Sequence, residues 1–216
     1  MRDPFGLNER LFAAFYPRLV ERSEKAGQRQ TRHELLAQAR GRTLELSAGS
    51  GLNLEHYTAA VTELIVTEPS PHMLAHLRTA LADRPPAAQS WKLVQAGAKE
   101  LPFADGSFDT VVCTYVLCTV PDPARALSEA ARVLRPGATF LFLEHVHAGD
   151  GTTLGRVQDL VELPHRYLAA GCHPNRRTGE LLEASPLQVE RLERGSQPRS
   201  IPTVRPTIMG TARAAA

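Results

Sequence analysis

From about residue 43 onward, short apolar runs take turns with stretches of helical periodicity, and this alternation limits the fold more than any other feature. Candidate strands fall at 43–46, 63–68, 92–96, 108–114 and 139–146. Several are apolar at almost every position, as in FDTVVCT and TFLFLEHV, the pattern of strands covered on both faces of a parallel sheet. Helical patterns fill 52–60, 71–83 and 123–134, the last closed by the stop signal RPG (135–137). Such alternation predicts an α/β fold: a doubly wound, mostly parallel Rossmann-like sheet with right-handed crossovers. Ahead of it, 7–40 reads as an amphipathic helical lead-in. Behind it come helical stretches at 152–170 and 177–184 around the turn GCHPNRR. LQVERLER (187–194) and TVRPTIMGTA (203–212) then read as a closing antiparallel strand pair.

Composition removes several classes of function. The net charge is only +2, and the basic residues are scattered among Asp and Glu, so the stripe that nucleic acid requires is missing. No run of about 18 apolar residues spans a membrane, and MRDPFGLNER lacks the layout of a signal peptide. Cys113, Cys118 and Cys172 form no CxxC pair, which argues against a disulfide framework or a zinc knuckle and for a reduced, cytoplasmic setting.

The stretch TLELSAGSG (43–51) is a buried strand running into a glycine turn, where backbone can approach a ligand closely. A dinucleotide fingerprint would need a third glycine where Leu54 stands, and no GK[ST] follows for a P-loop. What remains is ExxxGxG led by Glu45, a turn suited to a nucleoside without pyrophosphate. Glu68 ends the second strand, where a carboxylate can accept both ribose hydroxyls.

LELSAGSGLNLEHY, VTEPSPHML, LPFADGSFDTVVCTYVLCTV and ARVLRPGATFLFLEHV resemble, in order, the successive motifs of class I S-adenosylmethionine-dependent methyltransferases. VVCTYVLCTV, FLEHV, the GC turn at Gly171–Cys172 and VRPTIMGTA narrow the resemblance to the methyltransferase-like protein 7 family of alkyl thiol methyltransferases and its bacterial relatives. The resemblance implies S-adenosylmethionine as cofactor and S-adenosylhomocysteine as product. It puts Glu45, Ser47, Ala48, Gly49 and Gly51 around the methionine and ribose, Glu68 on the ribose, and Pro69 and Ser70 near the adenine. Gly97 and Ala98 would flank the adenine; many relatives have Asp at the position of Gly97. Thr114, Tyr115 and Leu117 would line the floor beneath the reacting methyl. Ser47 replaces a glycine. If the turn needs positive φ there, serine costs on the order of 1–2 kcal/mol; with strand geometry, its hydroxyl can reach the cofactor carboxylate.

Methyl transfer from a sulfonium needs alignment and a dry pocket more than activation. A thiol is already a few per cent thiolate at neutral pH and can do without a strong base. Glu144, His145 and His147, at the end of the fifth strand, are expected to face the methyl. His145 is the candidate to contact the acceptor or its proton. The histidines lack metal-ligand spacing, so no metal is expected. Phe12, Phe15 and Tyr16 in the lead-in pack or cover the acceptor. Mammalian relatives carry a membrane anchor ahead of this region, and that association is not expected to transfer.

The expectation is one methyltransferase domain over 1–216: lead-in or lid 1–40, cofactor core 41–146, lid and acceptor region 147–185, closing strands and tail 186–216. Its partner would be a small, mainly apolar acceptor, a thiol first and a phenolic, quinol-like or natural-product acceptor second. A cofactor-binding scaffold without turnover and a nicotinamide oxidoreductase stay open as alternatives, as do monomer and homodimer.

Overall fold

The computed structural model describes residues 14–16, 18 and 20–215. Seven strands form one sheet: β1 (Gly41–Leu46), β2 (Val61–Thr67), β3 (Trp91–Val94), β4 (Phe108–Thr114), β5 (Leu134–His145), β6 (Leu187–Ser196) and β7 (Pro206–Ala214). Their order is β3-β2-β1-β4-β5-β7-β6. The first five run parallel, and β7 enters antiparallel between β5 and β6. The order reverses between β1 and β4, so the carboxyl ends of these two strands border the crevice where ligands bind in sheets of this kind.

Alternation along the strands builds two cores. Leu44, Leu46, Ile65, Val111, Cys113, Phe140 and Phe142 face one side, under α3 (Pro123–Val133) and α5 (Thr178–Glu183). Leu64, Val66, Val112, Leu141 and Leu143 face the other, under α1 (Arg29–Leu36) and α2 (Pro71–Asp83). α2 starts where it should: Pro71 takes the first turn, and Ser70 Oγ accepts the Met73 N–H at 3.3 Å. α4 (Thr153–Leu168) is capped by Thr152, whose side chain accepts the Gly155 N–H.

The predicted strands and the closing antiparallel pair are present with shifted ends. β5 begins at Leu134 rather than 139. The last strand starts at Pro206, after a 3₁₀ turn over Pro202–Val204. β6 and β7 fit because Gly210 has no side chain: a Cβ there would stand 1.9 Å from the Arg191 carbonyl oxygen, at the bulge between Val189 and Arg191.

One expected helix is absent. Residues 52–60 hold only the 3₁₀ turn Leu54–His56, and Tyr57 leaves it in extended geometry. Thr58 Oγ1 accepts the Ala60 N–H at 3.3 Å, a local turn that competes with helix, while Asn53 and Tyr57 are drawn inward to Glu45. The lead-in also departs from a plain α-helix. Glu24–Gln28 is π-helical, with Gly27 at φ +130°, and α1 ends at Leu36. Phe12 lies outside the described residues; Phe15 is half exposed, so it does not act as core packing among them.

Candidate functional site

The turn after β1 places three residues in the left-handed region: Ser47 at φ +46°, Gly49 at +59° and Gly51 at +81°. Gly51 must lack a side chain, since a Cβ would meet Leu54 Cδ1 at 2.8 Å and Leu77 Cδ1 at 3.0 Å. A Cβ on Gly49 would meet nothing within 4 Å, so the turn presents open space there. Ser47 therefore adopts the costly of the two conformations foreseen for it. Its hydroxyl and that of Ser50 are buried without a hydrogen-bond partner. Ala48 donates to Thr67 O at 2.8 Å and accepts from Gly51 N at 3.0 Å, fixing the turn to β2.

Glu68 stands just past β2, nearly buried. Its two oxygens accept the N–H groups of Gly49 at 2.8 Å and Ser70 at 2.9 Å, so one carboxylate links the glycine turn to the start of α2. Pro69 lies between, its carbonyl accepting from Gln95 at 3.3 Å. Gly97 sits opposite: a Cβ there would only touch Pro69 Cβ at 3.8 Å, so the position is open to a side chain. Ala98 turns into the core and leaves only its backbone to the crevice.

Glu45 is buried at the end of β1. It accepts from Asn53 Nδ2 and from Tyr57 OH, each at 2.9 Å. Burial pushes its carboxyl up to about 7, against the opposing pull of these two bonds and of Arg32. Asn53 also donates to Thr114 Oγ1 at 2.9 Å, at the end of β4. Arg32 of α1, almost fully buried, reaches the same group: it donates to Asn53 Oδ1 at 2.8 Å, to Thr114 Oγ1 at 3.3 Å and to Glu24 at 3.1 Å. Its guanidinium lies 5.2 Å from the Tyr115 ring centroid, and Gln28 donates to Tyr115 OH at 2.7 Å. Glu24, Gln28 and Arg32 thus form a polar stripe that the lead-in lays across the strand ends.

Tyr115 holds φ +59° and packs on His145, ring centroids 4.3 Å apart. Burial pulls the His145 imidazole down to about 3, helped by His165, and its Nδ1 is buried without a partner. The Tyr115 hydroxyl is pushed well above its ordinary value by burial.

Of the three residues expected to face a methyl from β5, only His145 is on the side of Thr114 and Tyr115. Neighbouring residues of a strand point to opposite faces. Glu144 turns the other way, where its carboxylate collects the N–H groups of Val116 (2.9 Å), Leu117 (3.0 Å) and Cys118 (3.2 Å). It is an anchor for the loop after β4. His147 is buried by α4, its Nδ1 accepting from Gly149 N at 3.2 Å. Leu117 packs its side chain into the core and spends its N–H on Glu144.

Arg32, Gln28, Asn53 and Tyr57 escaped the reading of the sequence. A polar stripe spaced four apart on a helix ordinarily marks the solvated face, and nothing local says that this one is covered.

The chain matches the family model "Methyltransferase domain" over residues 44–142. It is 33% identical over 189 residues to thiol S-methyltransferase TMT1B of Homo sapiens, covering 84% of this chain and 77% of that protein. It is 34% identical over 169 residues to thiol S-methyltransferase TMT1A of Homo sapiens, covering 78% and 69%. A solved geranyl diphosphate methyltransferase in complex with SAM superposes with a TM-score of 0.65 at 12% identity, over 88% of this chain and 85% of that one, a likeness of fold.

Proposed function

The chain belongs to the S-adenosylmethionine-dependent methyltransferases, in the family of the thiol S-methyltransferases TMT1A and TMT1B, and from this premise we propose that it methylates small apolar thiols. The observation that carries the choice of acceptor is the lack, among the described residues, of a free general base beside Tyr115. His145, the group best placed, is held neutral with a basicity far below that of any acceptor. Glu45 and Glu144 have carboxyls raised to about 7, but their oxygens are committed to Asn53 and Tyr57 and to the 116–118 backbone. An acceptor must therefore bring its own anion, which a thiol does at neutral pH and an alcohol or phenol does not.

The residues around the glycine turn fit the cofactor. The unpartnered hydroxyls of Ser47 and Ser50 offer donors for its carboxylate, and the open space at Gly49 admits it. Glu68, fixed between the glycine turn and α2 by the Gly49 and Ser70 N–H groups, stands where its carboxylate can meet ribose hydroxyls. The backbone at Gly97 and Ala98 borders the adenine. Bound there, the cofactor supplies a methyl on a sulfonium for in-line displacement. Thr114, Tyr115 and His145 orient the acceptor sulfur and exclude water, and the neutral His145 Nδ1 takes a hydrogen bond from an entering thiol.

The test is S-adenosylhomocysteine release with thiols of graded pKa and with phenols of matched shape. The rate with each thiol should rise about tenfold per pH unit below that thiol's own pKa, following its thiolate. Phenols should run at least about thirtyfold slower at neutral pH, the ratio of their anion fractions. A phenol turned over as fast as the thiols would overturn the assignment.

A further inference from the structure

Two cysteines beside the acceptor end are used by nothing above, and they come from separate segments. Cys118 follows β4, and Cys172 sits in the turn after α4. Backbone contacts bracket the pair: His173 N donates to Cys118 O at 2.8 Å, and Gly171 packs on Thr119, whose carbonyl oxygen lies 3.4 Å from the glycine's Cβ position. Between these contacts the two thiols, both buried, come within interaction range of one another. His165 Nε2 is buried without a satisfied hydrogen bond, and its ring faces Cys172. Arg176 closes the other side, donating to Leu117 O and Val120 O at 2.6 Å each.

The two sulfurs differ in character. Hydrogen bonding from Cys118, with His165 and Arg176 nearby, holds the Cys172 thiol down against the effect of burial. The Cys118 thiol is pushed up by donating to Cys172 and by burial. Cys172 is thus the sulfur of the pair drawn toward thiolate, the attacking species in exchange. Cys172 is the less covered of the two, 9% exposed against 1%, and follows a stretch where Arg166, Tyr167 and Leu168 are exposed.

We propose that Cys118 and Cys172 form a thiol–disulfide exchange site for small uncharged disulfides. Cys172 sulfur attacks one sulfur of the disulfide, breaking its S–S bond and releasing one thiolate, which leaves a mixed disulfide on Cys172. The Cys118 thiol then gives up its proton and attacks Cys172 sulfur, releasing the second thiolate. The protein dithiol is oxidised, and the small disulfide is reduced to two thiols. The new bond fastens the end of α4 to the loop that Glu144 and Arg176 hold under the acceptor. The site stands on these contacts and is independent of which acceptor is methylated.

The experiment exposes the full chain to hydroxyethyl disulfide and follows intact mass with peptide mapping. The native protein should lose the mass of two hydrogen atoms, with Cys118 and Cys172 joined. Cys118→Ser should stop with one hydroxyethylthio group on Cys172. Cys172→Ser should react at Cys118 at least about tenfold more slowly. Cys113, buried in β4 with its thiol on Glu144 at 3.4 Å, should stay free throughout. A native protein that keeps all three thiols, or an adduct forming first on Cys118 or Cys113, would refute the site. Because the native chain carries the decisive readout, a variant that folds poorly does not blunt the test.

Discussion

Ser47 stands at φ +46° with a buried hydroxyl that bonds to nothing in the protein, and both facts come from one residue. The left-handed backbone costs a non-glycine residue roughly 1–2 kcal/mol, partly offset because glycine loses about 0.5–1 kcal/mol more entropy on folding. Ser47→Gly should therefore raise stability by about 0.5–1 kcal/mol in urea unfolding, and Ser47→Ala should not. If the hydroxyl meets the cofactor, both variants should bind S-adenosylhomocysteine about three- to tenfold more weakly, the value of one hydrogen bond. Equal affinity in all three proteins would remove the hydroxyl from the site. The residue survives because its strain is spread over a turn that Thr67, Ala48 and Gly51 already fix.

At the scale of elements, the loop after β4 shows how a strand end is held without regular structure. Its three successive N–H groups at 116–118 have no strand or helix to pair with, and Glu144 of the neighbouring strand accepts all three. A carboxylate can do this because both oxygens accept; an amide offers one acceptor oxygen and turns a donor toward donors. Above pH 7, where the carboxyl is ionised, Glu144→Gln should cost about 1–3 kcal/mol, since at least one buried N–H is stranded. A urea midpoint equal to that of the native protein would mean the loop is held by Arg176 alone. The same scale explains the missing helix at 52–60. Its periodicity is real, but Asn53 and Tyr57 gain buried hydrogen bonds to Glu45 that a straight helix does not supply, and Thr58 offers a local stop.

For the whole molecule, the buried ionisable groups set opposed pH dependences. Glu45 and Glu144 are raised from 4.5 to about 7, so the folded state holds their protons longer than the unfolded one. Stability from this source is complete below pH 4.5 and is lost as pH rises toward 7. His56 and His145 are lowered from 6.5 to about 4 and about 3, so their share is complete above 6.5 and is lost as pH falls. Two carboxyls against two imidazoles should leave a near-flat plateau between pH 4.5 and 6.5. Below 4.5 stability should drop steeply, because the histidines keep charging and Glu129, lowered to about 2 by its bonds to Arg132, begins to protonate. Urea midpoints at about pH 3.5, 5 and 6.5 test the shape. His145→Gln should tilt the plateau so that stability falls as pH rises across it; an unchanged plateau would show that the imidazole is not desolvated as described.

The sequence by itself determined the sheet, its mixed closing pair and the glycine turn. Near-continuous apolar runs record which strands are covered on both faces, and Gly49 and Gly51 record where the backbone must take positive φ. The family followed from the same residues, because the motifs sit at the strand ends that the fold brings together. Only the tertiary structure decided which polar groups lose water. Glu24, Gln28 and Arg32 read as an outer face until the lead-in is seen lying across β1, β4 and β5. Asn53 and Tyr57 read as helix surface until Glu45 is seen beneath them, and Cys118 and Cys172 meet only once α4 has folded back. A local pattern carries the polarity of a side chain, but desolvation belongs to whatever distant segment covers it.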